Sequence, residues 1–113
     1  MSERIPSIIL EDILECIEKI LTYTKGLSFD EFLKDSKTRE AVYRNLEVMG
    51  EAANRMPDDF IENHPEIEWY KIISTRHIII HGYDEIDDRI IWNIMRNSLP
   101  ALQAKLRTLL KTL

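Results

Sequence analysis

Residues 65–83 read PEIEWYKIISTRHIIIHGY. The isoleucine run 78–80 favours a strand locally, because branched side chains pack well on a pleated surface. It is only three residues long, and it lies inside a longer pattern. Ile67, Tyr70, Ile72, Ile73 and the isoleucine run recur at the three- and four-residue spacing of a helix. Pro65 suits a first helical turn, where its missing N–H costs nothing, and Gly82 is a natural stop. The stretch therefore predicts a helix from Pro65 to about Gly82.

The flanking sequence predicts more of the same. Upstream, Ala41, Val42, Leu46, Met49, Ala52, Ala53 and Met56 form the stripe of a helix over roughly 37–55, ended by Pro57. Gly50, Ala52 and Ala53 are small, so a neighbouring helix, or a partner subunit, can approach closely. Ser28 and Glu31 have capping-box spacing and predict a short helix over 29–33, with Phe29, Phe32 and Leu33 facing the core. Ile5, Ile8, Ile9, Ile13, Ile17, Ile20 and Leu21 mark a first helix over about 4–23, with Pro6 in its first turn and Gly26 after its end. Residues 58–63 allow one more short helix. Downstream, Asp87 can cap a last helix over 88–110, lined by Ile90, Ile91, Ile94, Leu99, Leu102, Leu106, Leu109 and Leu110. Pro100 lies inside that pattern and predicts a kink. With short connections, these helices predict an all-α, up-and-down bundle of four or five helices.

Composition narrows the function. The 113 residues fit one domain spanning 1–113, and an apolar share of 44% is normal for a globular chain. Cys16, the single cysteine, falls on the first apolar stripe and cannot form an internal disulfide. The amino terminus lacks the long apolar core of a signal peptide, and no apolar run approaches a membrane span. A cytoplasmic protein with no membrane partner is expected. The net charge of −5 argues against a broad electrostatic grip on nucleic acid. Any phosphate chemistry must be concentrated in a few residues.

Those residues are gathered in Arg76-His77-Ile78-Ile79-Ile80-His81-Gly82-Tyr83. Arginine grips phosphate oxygens with a planar fork and stays charged. Histidine moves protons near neutral pH. Tyrosine donates a hydrogen bond or accepts a transferred group. Arg76 and His81 stand roughly 140° apart on an ideal helix, so they converge only if the helix loosens near His81 or if two chains share the site. His77 and His81 are four apart and share a face, which is also the spacing of a metal-ligand pair. No third ligand is evident, and no metal or cofactor is expected. A plain polar helix end, with Arg76 paired to an acid, has the same spacing.

Arg76, His81 and Tyr83 in the pattern Arg-x4-His-x-Tyr resemble the signature of HepT-like proteins of the HEPN superfamily. Further similarities run through most of the chain: Phe32-Leu33-Lys34-Asp35 followed by Ala41-Val42, Gly50-Glu51-Ala52-Ala53, Pro65-Glu66-Ile67-Glu68-Trp69, then Trp92 and Leu99-Pro100-Ala101-Leu102. Members of the family usually carry Asn directly after the signature Arg, where this chain has His77. The resemblance implies a HEPN-fold homodimer that acts as the toxin of a type VII HEPN/MNT toxin–antitoxin module. It implies a metal-independent endoribonuclease with RNA as substrate. An MNT-type nucleotidyltransferase would be its antitoxin, transferring AMP to Tyr83. On this reading Arg76 and His81 are catalytic, and His77 and Glu51 support them, Glu51 by orienting Arg76. Arginine and histidine serve binding and cleavage alike. A non-catalytic nucleotide-binding or accessory subunit of a nucleotidyltransferase, and a purely structural helical dimer, remain the competing classes.

Overall fold

The computed structural model describes residues 5–81 and 85–113, except for the side chains of Ile80 and His81. Helix α1 (Pro6–Tyr23) opens on its proline and buries Ile9, Leu10, Ile13, Cys16, Ile17 and Ile20. Ile5 and Ile8, expected on the apolar stripe, lie at its edge and are 42% and 46% exposed. Leu10 is fully buried instead. Burial among these side chains raises the Cys16 thiol pKa, in keeping with a core residue.

Gly26 turns the chain after α1 at φ +79°, a conformation that favours glycine. Helix α2 (Phe29–Lys34) follows behind the expected capping box. Ser28 Oγ accepts from the Glu31 amide at 3.1 Å, and the Glu31 carboxylate accepts from the Ser28 amide at 2.9 Å. One face of so short a helix reaches the core. Phe32 is fully buried and Phe29 packs beside it against Trp92, whereas Leu33 turns outward.

Helix α3 (Ser36–Asn54) starts at Asp35, whose side chain accepts from the Thr38 amide. After the short α4 (Asp58–Asn63), α5 begins at Trp69 and runs to His81. The expected start at Pro65 is therefore four residues early. The His64 carbonyl explains the delay. It accepts from the Ile67 amide at 3.3 Å and from the Trp69 indole at 3.0 Å, holding residues 65–68 in a turn. Tyr70, counted in the stripe, is 82% exposed.

The last helical rod joins α6 (Asp88–Asn93), a single π-helical turn (Ile94–Ser98) and α7 (Leu99–Lys111). Asp87 caps it by accepting from the Arg89 amide. Where a kink was expected at Pro100, the rod continues without a break and widens just before the proline. The Leu99 amide bonds to the Ile94 carbonyl, one residue further back than in an α-helix. Pro100 has no N–H to offer, and its ring crowds the carbonyl four residues earlier, so the wider turn relieves both problems. This turn carries Arg96. Its guanidinium lies 4.3 Å from the centre of the Trp92 ring and donates to the Thr24 and Leu27 carbonyls, fastening the α1–α2 turn to the rod. Ile90, expected inside, is 49% exposed.

Among the described residues there is no strand. Four long rods (α1, α3, α5 and α6–α7) form the expected all-α up-and-down bundle, with α2 and α4 in the connections. The α1–α3 and α3–α5 faces are the most extensive.

Candidate functional site

Arg76 is positioned by a close contact between α3 and α5. The Thr75 hydroxyl, buried between α3 and α5, lies 3.0 Å from the Leu46 carbonyl on α3 and 2.7 Å from the Ile72 carbonyl on its own helix. One turn along α3, Gly50 faces the backbone of α5. A Cβ at Gly50 would fall 2.7 Å from Arg76 Cβ, 2.8 Å from the Arg76 amide nitrogen and 3.0 Å from the Ile72 carbonyl oxygen. At Gly50 the small-residue face of α3 is thus filled by α5 of the same chain. It was also expected to suit a partner subunit, and at Gly50 it has no room for one.

This packing seats Arg76 beside Glu51, the next residue on α3. Arg76 Nε is 3.5 Å from Glu51 Oε2, with the side chains 42% and 52% exposed. Two exposed charges at that separation gain little stability from each other. The Nε atom is itself buried and has no hydrogen-bond partner among the described residues, so the geometry is an ion pair without a hydrogen bond. The exposure of the side chain therefore belongs to its outer end. A cation held by its inner nitrogen, with the outer fork turned to solvent, is suited to receiving an anion from outside.

His77 follows on α5, is exposed, and engages a neighbouring group. The backbone of α5 stays helical through His81, so the helix does not loosen before that residue. Positions 76 and 81 therefore remain roughly 140° apart around the axis. The side chain of His81, and the whole of Gly82 and Tyr83, lie outside the described residues. The structure thus brings Arg76 and Glu51 together, places His77 beside them in sequence, and does not reach the other two signature side chains. Among the described residues no group of three His, Cys, Asp or Glu side chains is arranged to hold a metal ion.

A second polar cluster was missed by sequence reasoning. On α3, Arg39 and Tyr43 lie one turn apart and both reach Asp88 in the first turn of α6. The Tyr43 hydroxyl donates to Asp88 Oδ1, Arg39 Nε is 3.9 Å from Asp88 Oδ2, and an outer Arg39 nitrogen donates to the Leu33 carbonyl. Tyr43 and Asp88 are separated by 45 residues, and no local spacing rule connects them. Burial, then the hydrogen bond to Asp88 and its charge, push the Tyr43 pKa from 10.0 up to about 12. The folded protein favours the neutral phenol. The stability this gives is complete below pH 10 and lost as the pH rises through about 12. Ultraviolet titration should show a phenol ionising near pH 12 that is missing from Tyr43→Phe; the same late step in both proteins would contradict the assignment.

A cavity of about 380 Å³ opens elsewhere, between α5 and the α6–α7 rod, with Ser74, Ile78, Asn97, Ser98 and Lys105 in its wall. Arg76, Glu51 and His77 do not line it. No helix among the described residues is long and apolar enough to cross a membrane.

Comparison with known proteins gives this geometry its context. Residues 13–109 match the Ribonuclease HepT-like family. A protein of Thermococcus cleftensis named as a probable ribonuclease HepT is 42% identical over 90% of this chain and 93% of its own length. A Methanocaldococcus jannaschii protein named as an inferred RNase is 46% identical over 80% of this chain and 75% of its own. A second protein of that organism, similarly named, is 35% identical over 91% and 94%. No solved structure matches the chain. With nearly the whole chain matched by the family, and with relatives of this similarity over most of their length, the chain belongs to the Ribonuclease HepT-like family.

Proposed function

We propose that this chain is an endoribonuclease, the toxin half of a HEPN/MNT pair, cutting RNA without a metal ion. The observation that carries the reading is Arg76. It opens the Arg-x4-His-x-Tyr signature of a ribonuclease family, and its inner nitrogen is buried while its outer end is free to meet a phosphate.

RNA brings its own nucleophile. The 2′-oxygen attacks the adjacent phosphorus, the bond from phosphorus to the 5′-oxygen breaks, and a 2′,3′-cyclic phosphate and a 5′-hydroxyl result. A proton leaves the 2′-OH and another reaches the 5′-oxygen. His81 handles one of these transfers, and Arg76 stabilises the extra negative charge that develops on the phosphate oxygens. Glu51 keeps the guanidinium aligned, and His77 flanks it. Two copies of the chain related by a two-fold axis supply both proton carriers to one cleft.

Control acts on Tyr83. A partner nucleotidyltransferase forms a bond between the phenol oxygen and the α-phosphorus of ATP, with pyrophosphate leaving. The attached AMP then competes with RNA for Arg76 and blocks the cleft. In the sequence Tyr83 is flanked by Gly82 and Asp84.

The test is cleavage of single-stranded RNA by the purified protein in excess EDTA. Persisting cleavage with 2′,3′-cyclic ends supports the reading. Activity abolished by EDTA and restored by a divalent ion contradicts the mechanism. Co-expression with a neighbouring nucleotidyltransferase should add one AMP to the peptide containing Tyr83 by mass spectrometry. Full neutralisation with that peptide unmodified would mean control by binding alone.

A further inference from the structure

The net charge of −5 hides an uneven distribution. Residues 89–113 carry Arg89, Arg96, Lys105, Arg107 and Lys111 and no Asp or Glu, whereas residues 1–88 hold all twenty acidic side chains. The α6–α7 rod is therefore an electropositive element on an acidic protein. Its cations do not serve alike. Arg96 is bound to the Thr24 and Leu27 carbonyls. Lys105 lies in the wall of the 380 Å³ cavity and forms no ion pair among the described residues. Across the cavity, α5 contributes Lys71 and Glu68, which pair with each other at 2.9 Å. The rim thus has one cation in excess.

Beneath the rim the floor is apolar, with Met49, Ile72 and Leu99 all buried. Asn97 and Ser98 add an amide and a hydroxyl to the wall. An apolar floor, a few polar groups and a cationic rim suit a flat body that carries an anion, as a nucleobase carries its phosphate. The cavity also communicates with Arg76 along the surface of α5. Lys71, Ser74 and His77 are exposed and three residues apart. Each step turns about 60° around the axis, from the cavity side of α5 toward the side that carries Arg76. The row rises ~9 Å and ends at His77, next to Arg76 in the chain.

We propose that the groove between α5 and α7 is a track for single-stranded RNA. A nucleotide flanking the cleaved bond sets its base on the apolar floor and its phosphate between Lys71 and Lys105. The strand then crosses α5 along Ser74 and His77 to Arg76. The inference rests on the ribonuclease reading above and adds the path of the substrate.

The test is fluorescence anisotropy with a mixed-sequence 2′-O-methyl RNA oligonucleotide, which lacks the nucleophile and so reports binding without cleavage. Lys105→Gln should weaken binding about 3- to 10-fold at low salt and flatten the plot of log affinity against log salt by about 0.7, the share of one phosphate contact. Ala101→Glu, which puts a carboxylate in the cavity wall, should weaken binding at least as much. Arg107→Gln removes the same charge from an exposed position on another side of α7 and should bind as wild type does. Wild-type affinity and slope in Lys105→Gln would overturn the track. So would equal losses in Lys105→Gln and Arg107→Gln, the mark of overall charge alone, or a wild type that fails to bind. Dissociation of a dimer by Ala101→Glu, with RNA affinity unchanged, would give the groove to a second copy of the chain and overturn the track as well. Wild type that binds with this salt dependence and cuts no RNA would overturn the ribonuclease reading and leave the track standing. RNA cleavage with a KM unmoved by Lys105→Gln would overturn the track alone.

Discussion

Arg76→Ala should lower kcat/KM for RNA cleavage about 100- to 1,000-fold, the usual cost of removing one donor that meets charge developing in a transition state. The same change should leave the fold intact. Arg76 and Glu51 are 42% and 52% exposed, so the freed carboxylate stays hydrated and stability should move by less than about 1 kcal/mol. Arg76→Lys should recover little, because an ammonium is a point charge and cannot present two parallel donors to one phosphate. Kinetics on purified protein, with circular dichroism melting as the control, separate the two effects. A large drop in Tm with activity per folded molecule unchanged would show that Arg76 serves packing.

Gly50→Ala should destabilise the fold although it adds only one methyl group. Two effects oppose each other. Replacing a mid-helix glycine by alanine favours the helix by ~1 kcal/mol. Here the new methyl would stand 2.8 Å from a backbone nitrogen and 3.0 Å from a backbone oxygen of α5, with Arg76 Cβ at 2.7 Å. Backbone cannot rotate away as a side chain can, so α3 and α5 must separate. Overpacking of this kind costs about 1–3 kcal/mol, and parting the helices also loosens the Thr75 bridge. The net result should be destabilisation of about 1–2 kcal/mol, read as a fall in Tm of roughly 4–8 °C per kcal/mol. Cleavage should fall beyond what unfolding explains, since the methyl presses on Arg76 itself. A raised Tm would mean that the helices are not in close contact at Gly50.

Periodicity made the bundle legible. The stripes of α1, α3 and the last rod, the capping box at Ser28 and the cap at Asp87 are local features, and each has a short-range chemical cause. Errors arose where tertiary bonds compete with local pattern. Pro65 resembles a helix start, yet the His64 carbonyl bonding to the Trp69 indole delays α5 to Trp69. At Pro100 the pattern signalled a disturbance of the helix but not its form, a π-helical turn just before the proline.

Of the candidate site, the sequence singled out Arg76 and the acid found beside it, Glu51. Arg76 stands out because a permanent cation beside histidines and a phenol is chemically distinctive, and the spacing connects it to a family signature. The small residue at Gly50 signalled a close approach without telling which surface approaches. That it is the backbone of Arg76 is a tertiary fact. The Arg39–Tyr43–Asp88 cluster gave no sequence signal, because its members come from α3 and α6 and each alone reads as an ordinary surface residue.

The reading as a whole depends on a 2′-hydroxyl attack assisted by His81 and Arg76, and one experiment isolates that step. Wild type and His81→Ala are each given two RNA oligonucleotides in EDTA. They are identical except for a single 2′-deoxy sugar at the mapped cleavage position. Wild type should cut only the all-ribose strand, and His81→Ala should cut neither at a comparable rate. Cleavage of the deoxy-substituted strand at that position, or wild-type rates from His81→Ala, would contradict the account.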